Sequence, residues 1–219
     1  RMLHHFGMTA LAGILALGAW GMAPGVALAQ DANAAEAASE IDISTIPDMV
    51  LGAEDAPVTG IEYGSFTCPH CADFHASQFQ SLKADYIDTG KVRFIFREVY
   101  FDRFGLWASM IARCGGDMRF FGIHDLLYET QGDWIAGGQD PQLIVDNLRT
   151  LGISAGLTAE QVDACMQDET MAQTLVAWFE HNVTEDEVNA TPTLVIDGVK
   201  YSNMSYDELQ PLIEAALAD

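Results

Sequence analysis

VTGIEYGSFTCPHC, residues 58–71, is the stretch on which the fold turns. Its first part, Val58 to Phe66, is rich in β-branched and aromatic residues and reads as a buried strand. Thr67 stands where a helix cap would sit, and Pro69 falls in the first helical turn, where a missing N–H costs nothing. Phe74, Phe79 and Leu82 supply the apolar contacts of a helix that reaches about Asp88, before a stop at Gly90. A strand that feeds straight into a helix opening on cysteine places Cys68 against free backbone N–H groups and the positive end of the helix dipole. A thiolate is stabilised there much more than at Cys71, one turn further in. The expected roles are Cys68 as nucleophile and Cys71 as buried resolving thiol, with a Cys68–Cys71 disulfide as the oxidised form.

His70 lies between the two thiols and is expected to add positive charge or a hydrogen bond toward the Cys68 thiolate, favouring the reduced dithiol. A favoured dithiol makes the disulfide a strong oxidant. The competing use of a C-x-x-C pair is half of a zinc site, which wants two further ligands at suitable spacing. Cys114 and Cys165 stand alone, with no second C-x-x-C, so no metal is expected. A purely structural role fits poorly, because so short a loop gains little from closure. No phosphate loop, dinucleotide fingerprint or Ser-His-Asp arrangement is evident, and no cofactor is expected. His75, His124 and His181 look scattered over surfaces and helix faces.

Outward from this centre, Asp48 to Gly52 reads as a short edge strand and Val92 to Val99 as the next long one. From Leu106 to about Glu187 the period turns helical, over Trp107 to Arg113, Met118 to Thr130, Pro141 to Leu151, Thr158 to Gln167 and Met171 to His181. Glycines at 115, 116, 137 and 138 break the pattern, and Thr158 with Gln161 has the form of a capping box. Thr193 to Ile196, then Asp197-Gly198, then Val199 to Tyr201 is a strong hairpin signal. Ser205 to Ala218 closes the chain as a helix with Leu209, Leu212, Ile213 and Ala216 on one face.

Before the first strand, Met8 to Leu28 is apolar and rich in small residues, ending in Ala27-Leu28-Ala29, and predicts a signal peptide over 1–29. Residues 30–46, acidic and Ala-rich, are expected to form a flexible arm, leaving 47–219 as the folded domain. The chain has 219 residues, of which 49% are hydrophobic, enough for one sizeable core with an insertion. Its net charge is −22, with every acid after residue 30. Such a surface repels nucleic acid and anionic membranes, so neither is expected as a partner.

Glu62, Cys68-Pro69-His70-Cys71 and Thr191-Pro192-Thr193, with a helical stretch between, resemble the DsbA family of bacterial periplasmic dithiol oxidases. The resemblance implies an α/β, thioredoxin-like fold with an all-helical insertion at about 102–187. It implies that Pro192 is a cis-proline whose loop faces the sulfurs, with Thr191 offering backbone groups to an extended substrate peptide. It implies that Glu62 is buried behind the dithiol, where desolvation raises a carboxyl pKa and suits proton exchange with Cys71. It implies a second, structural disulfide between Cys114 and Cys165.

The expected activity is the oxidation of reduced or unfolded exported polypeptides in the periplasm. Cys68 accepts the substrate thiolate as a mixed disulfide, the substrate's second thiol releases it, and a membrane quinone reductase of the DsbB type reoxidises the dithiol. Two alternatives stand beside this reading. One is a disulfide isomerase or reductase, which would usually carry a separate dimerisation domain; Gln30 to Pro47 is too short for that, so a monomer is expected. The other is a non-catalytic binding or chaperone module, or a carrier that uses the thiols to hold metal.

Overall fold

The structure is a computed structural model that describes residues 41–218 apart from Gln139. The signal peptide over 1–29 and the first part of the arm therefore lie outside the described residues. Strand β2 (Val58–Gly64) is the spine of a five-stranded sheet whose order is β1-β3-β2-β4-β5. It pairs in parallel with β3 (Val92–Glu98) and antiparallel with β4 (Thr193–Ile196); β1 (Met49–Leu51) and β5 (Val199–Ser202) form the edges, both antiparallel to their neighbours.

Gly64 ends β2 because nothing larger fits. A β-carbon there would lie 2.6 Å from the Phe96 ring and 2.9 Å from the Tyr128 hydroxyl. The β4–β5 turn needs left-handed backbone, which Asp197 (φ 44°) and Gly198 (φ 83°) provide, as the Asp-Gly pair predicts.

Helix α1 covers 69–87. It is α-helical over Pro69–Phe74 and Gln80–Leu82, and widens into π turns at His75–Phe79 and Lys83–Ile87. Phe74, Phe79 and Leu82 are buried as expected, each burial contributing about 1.5–3 kcal/mol. Between β3 and β4 the regular elements among the described residues are all helices: α2 (Arg103–Cys114), α3 (Asp117–Glu129), the short α4 (Gln131–Trp134), α5 (Pro141–Ser154), α6 (Ala159–Met166) and α7 (Glu169–Glu185). Helix α8 (Tyr206–Ala216) closes the chain and buries Leu209 and Ile213. No helix among the described residues is long and apolar enough to cross a membrane.

Two local expectations are corrected. Cys68, not Thr67, is the residue that caps α1. The Thr67 hydroxyl instead donates to Asp102 Oδ2 (3.0 Å), whose other oxygen caps α2 through the N–H groups of Phe104 and Gly105. The arm over 30–46 does not stay free to its end. Ile43–Thr45 forms a 3₁₀ turn, and Ile46 is buried in a cluster with Met110, Leu175 and Trp178. The insertion is further tied to the sheet by a buried pair, Arg113 Nε and Nη2 donating to the Glu98 carboxylate at 2.6 and 2.7 Å, while Arg113 Nη1 donates to Pro47 O (3.0 Å).

Candidate active site

The end of β2 delivers Cys68 to the α1 N-terminus, where its extended backbone (φ −86°, ψ 119°) caps the helix and leaves its sulfur beside the first free N–H groups. Pro69 and His70 are exposed, Cys68 is 8% exposed, and Cys71 is fully buried. Both cysteines are free thiols, so this is the dithiol form.

The two sulfurs have opposite proton affinities. The hydrogen bond from the Cys71 thiol is the main reason the Cys68 pKa falls to about 5. Burial opposes the fall, while the Thr191 hydroxyl and the backbone N–H groups of Cys71 and His70 add to it. Cys71 is pushed far up by holding that hydrogen bond, by burial and by the Glu62 charge, with the N–H of Ser65 (3.5 Å) as a small counterweight. One thiol is therefore poised as an anion while the other keeps its proton, as a nucleophile and a resolving group require.

Facing the pair is the Thr191–Pro192 peptide bond, which is cis, with Pro192 buried. A protonated Cys68 Sγ donates to Thr191 O at 3.7 Å, and Thr191 Oγ1 is buried without a hydrogen-bond partner, free to donate to a Cys68 thiolate. Behind the pair, Glu62 lies in the central strand, 2% exposed, with Oε1 unpartnered. Burial, and then the charge of Cys68, raises its pKa to about 8. The structure thus brings Glu62, Cys68, Pro69, His70, Cys71, Thr191 and Pro192 to one place. The His70 side chain makes no hydrogen bond among the described residues; its backbone N–H is the part that acts on Cys68.

Two neighbours escaped the sequence reading. Gln131, at the start of the unpredicted helix α4, donates from Nε2 to Phe66 O (2.8 Å) and Cys68 O (3.0 Å), pinning the turn that presents Cys68. Tyr128 is buried with its hydroxyl unpartnered beside Cys71, and burial followed by the charges of Cys71 and Glu62 drives its pKa up. Neither has a local sequence signal, since each reaches the site from the insertion.

The bridge between Cys114, at the end of α2, and Cys165, in α6, is formed, with α-carbons 5.9 Å apart. The histidines are not scattered as expected. His181 is exposed, but His75 and His124 are both buried, with ring centres 5.1 Å apart, and Asp125 lies beside them. A signal existed in α3, where His124 falls in the buried series Phe120, Ile123, Leu127 at helical spacing.

The sequence profile of the thioredoxin family matches residues 44–215. Disulfide bond formation protein D of Bacillus subtilis is 30% identical over 173 residues, an alignment that covers 77% of this chain and 76% of that protein. A candidate protein-disulfide oxidoreductase of Rickettsia bellii is 34% identical over 173 residues, covering 78% of this chain but only 65% of its own length; this chain spans a little under two thirds of that relative. Among solved structures, Wolbachia pipientis alpha-DsbA1 superposes with a TM-score of 0.71 at 26% identity, covering 82% of this chain and 96% of that one. With the helical insertion between β3 and β4 and the dithiol at the α1 N-terminus, the chain belongs to the thioredoxin family as a DsbA-like member.

Proposed function

We propose that the protein is a thiol-disulfide oxidoreductase that acts as a dithiol oxidase, introducing disulfides into reduced, unfolded polypeptides exported to the periplasm. The observation that carries this reading is the split in proton affinity between Cys68 and Cys71. A thiolate held down to about pH 5 stabilises the dithiol relative to the disulfide, and a disulfide whose reduced form is stabilised is a strong oxidant.

In the oxidised protein, a substrate thiolate attacks Cys68 Sγ. The Cys68–Cys71 bond breaks, its electron pair leaves on Cys71 Sγ, and Cys71 takes up a proton. Glu62, protonated through much of the neutral range, exchanges that proton with the buried sulfur, a role supported by its raised pKa. A second substrate thiolate then attacks its own mixed-disulfide sulfur and expels Cys68 as the stabilised thiolate, a good leaving group because of its low proton affinity. The net exchange oxidises two substrate thiols and reduces one protein disulfide. Thr191, next to Pro192, offers its backbone to an extended substrate. A quinone-linked membrane oxidase of the DsbB type returns the dithiol to the disulfide.

A redox titration of Cys68/Cys71 against glutathione tests the direction of the chemistry. An oxidase is expected well above thioredoxin's potential of about −270 mV, toward the roughly −120 mV of DsbA. A value near thioredoxin's would replace this reading with a reductase.

A further inference from the structure

We propose that His75 Nε2, His124 Nδ1 and Asp125 Oδ1 form a three-ligand site for a divalent transition metal of the zinc type, one helical turn behind the resolving thiol. These three ligand atoms all lie within 4.8 Å of one another. His75 Nε2 is 3.6 Å from Asp125 Oδ1, and His124 Nδ1 is 3.2 Å from the same oxygen. Metal–ligand bonds of about 2.0–2.2 Å at tetrahedral angles put neighbouring ligand atoms about 3.3–3.6 Å apart. The two separations to the shared Asp125 oxygen, 3.6 and 3.2 Å, lie close to that range, and 3.6 Å is too long for the hydrogen bond that would otherwise explain the first contact.

The histidines make poor sense as packing alone. Both ring nitrogens of His75 and Nε2 of His124 are buried without a hydrogen-bond partner, each costing about 1–3 kcal/mol if left so. Their rings are held by aromatic neighbours. His75 stacks between Phe79 and Tyr128, with centroids at 5.1 and 5.2 Å, and the Phe96 ring meets His124 edge-on at 4.5 Å. His75 also opens the first π turn of α1, and such local widening is frequent at functional sites. Asp125 is 39% exposed, which gives an ion a way in from solvent and leaves a fourth position for water.

Two imidazoles and one carboxylate suit zinc, cobalt or nickel over magnesium or calcium. Coordination through Nδ1 of His124 fixes its proton on Nε2, and coordination through Nε2 of His75 fixes its proton on Nδ1. Neither N–H then has a partner among the described residues, so the affinity should fall about 10–100-fold short of sites whose histidines are so supported.

The test uses the full chain with Cys68–Cys71 oxidised, so that no thiol competes, titrated with Co²⁺ in a large excess of Mg²⁺ to occupy surface carboxylates. The expected result is one equivalent of Co²⁺ with the visible absorption of a four- or five-coordinate nitrogen–oxygen site, displaced by Zn²⁺. Asp125→Asn should weaken binding at least tenfold, and His75→Gln should abolish it. Absence of Mg²⁺-resistant binding would overturn the proposal, as would binding unchanged in either folded variant. Asp125 is partly exposed, so its variant decides the matter even if His75→Gln fails to fold.

Discussion

The two cysteine pairs of this protein meet under opposite conditions. Cys114 and Cys165 are 51 residues apart in sequence and join the ends of packed helices, so their bond removes much of the freedom of the unfolded chain. In the chain-entropy picture that is worth about 4 kcal/mol. Cys68 and Cys71 are separated by one turn, and closing them constrains little. Around this second pair the protein instead leaves buried groups unpartnered: Glu62 Oε1, Tyr128 OH and Thr191 Oγ1. Such groups cost stability wherever they occur. In the proposed cycle the charge and bonding of this pair change, and each of these groups is an available donor or acceptor for one of its states. The bridge holds the insertion together; the dithiol is kept ready to react.

The largest effect that would sharpen this contrast is Cys68→Ser. It should lower dithiol oxidation of a reduced model peptide by at least about 10³-fold without a loss of folding, as removal of a nucleophile does elsewhere. Activity that persists would assign the chemistry to the wrong pair. The converse is Cys114→Ser with Cys165→Ser, read by urea unfolding. Stability should fall by about 4 kcal/mol while turnover at 25 °C changes little. A variant as stable as the parent would show that the bridge does not constrain the unfolded chain.

Glu62→Gln comes next, measured on the dithiol form. The native carboxyl pKa of about 8 lies above its unfolded value. Folding therefore favours its protonated form, and its contribution is fully present below about pH 4.5 and lost as pH rises through 8. Cys68 has the reverse sign. Its native pKa is depressed to about 5, so its contribution is present above the unfolded thiol pKa and lost as pH falls toward 5. In the parent the two trends oppose each other between pH 5 and 8. Glu62→Gln removes one, so its stability relative to the parent should grow by about 2–4 kcal/mol across that range. A pH-independent difference would mean that the carboxyl is not held neutral. The smallest effect is expected from Thr191→Val, which should raise the Cys68 pKa by about one unit, worth about 1.4 kcal/mol, because it deletes a single hydroxyl donor.

What could be read in the sequence was whatever depends on neighbours along the chain. The β2 strand, the proline in the first turn of α1, the Thr158–Gln161 capping box and the Asp197-Gly198 turn are local features, and each is found in place. Features set by packing across the chain were not legible. Cys68 rather than Thr67 holds the N-cap position of α1, directly before Pro69, and the Thr67 hydroxyl is engaged by Asp102 from the far side of β3 in sequence. The π turns of α1 leave no pattern that apolar spacing alone can distinguish from an ordinary helix. The meeting of His75 with His124 depends on α1 packing against α3, and Gln131 reaches Cys68 from a four-residue helix too short to show a period. The burial of Glu62 follows from its place in the motif rather than from alternation; in the sheet its register partners are Phe96 and Leu194, both buried themselves.

The proposed chemistry needs an anionic sulfur at the α1 N-terminus. The most direct check is the rate of Cys68 alkylation in the dithiol protein as a function of pH, with thiolate absorbance followed in parallel. A single midpoint near pH 5 is expected, with Cys71 unreactive throughout. A midpoint near the ordinary cysteine value of about 8.5, or equal labelling of both thiols, would contradict it.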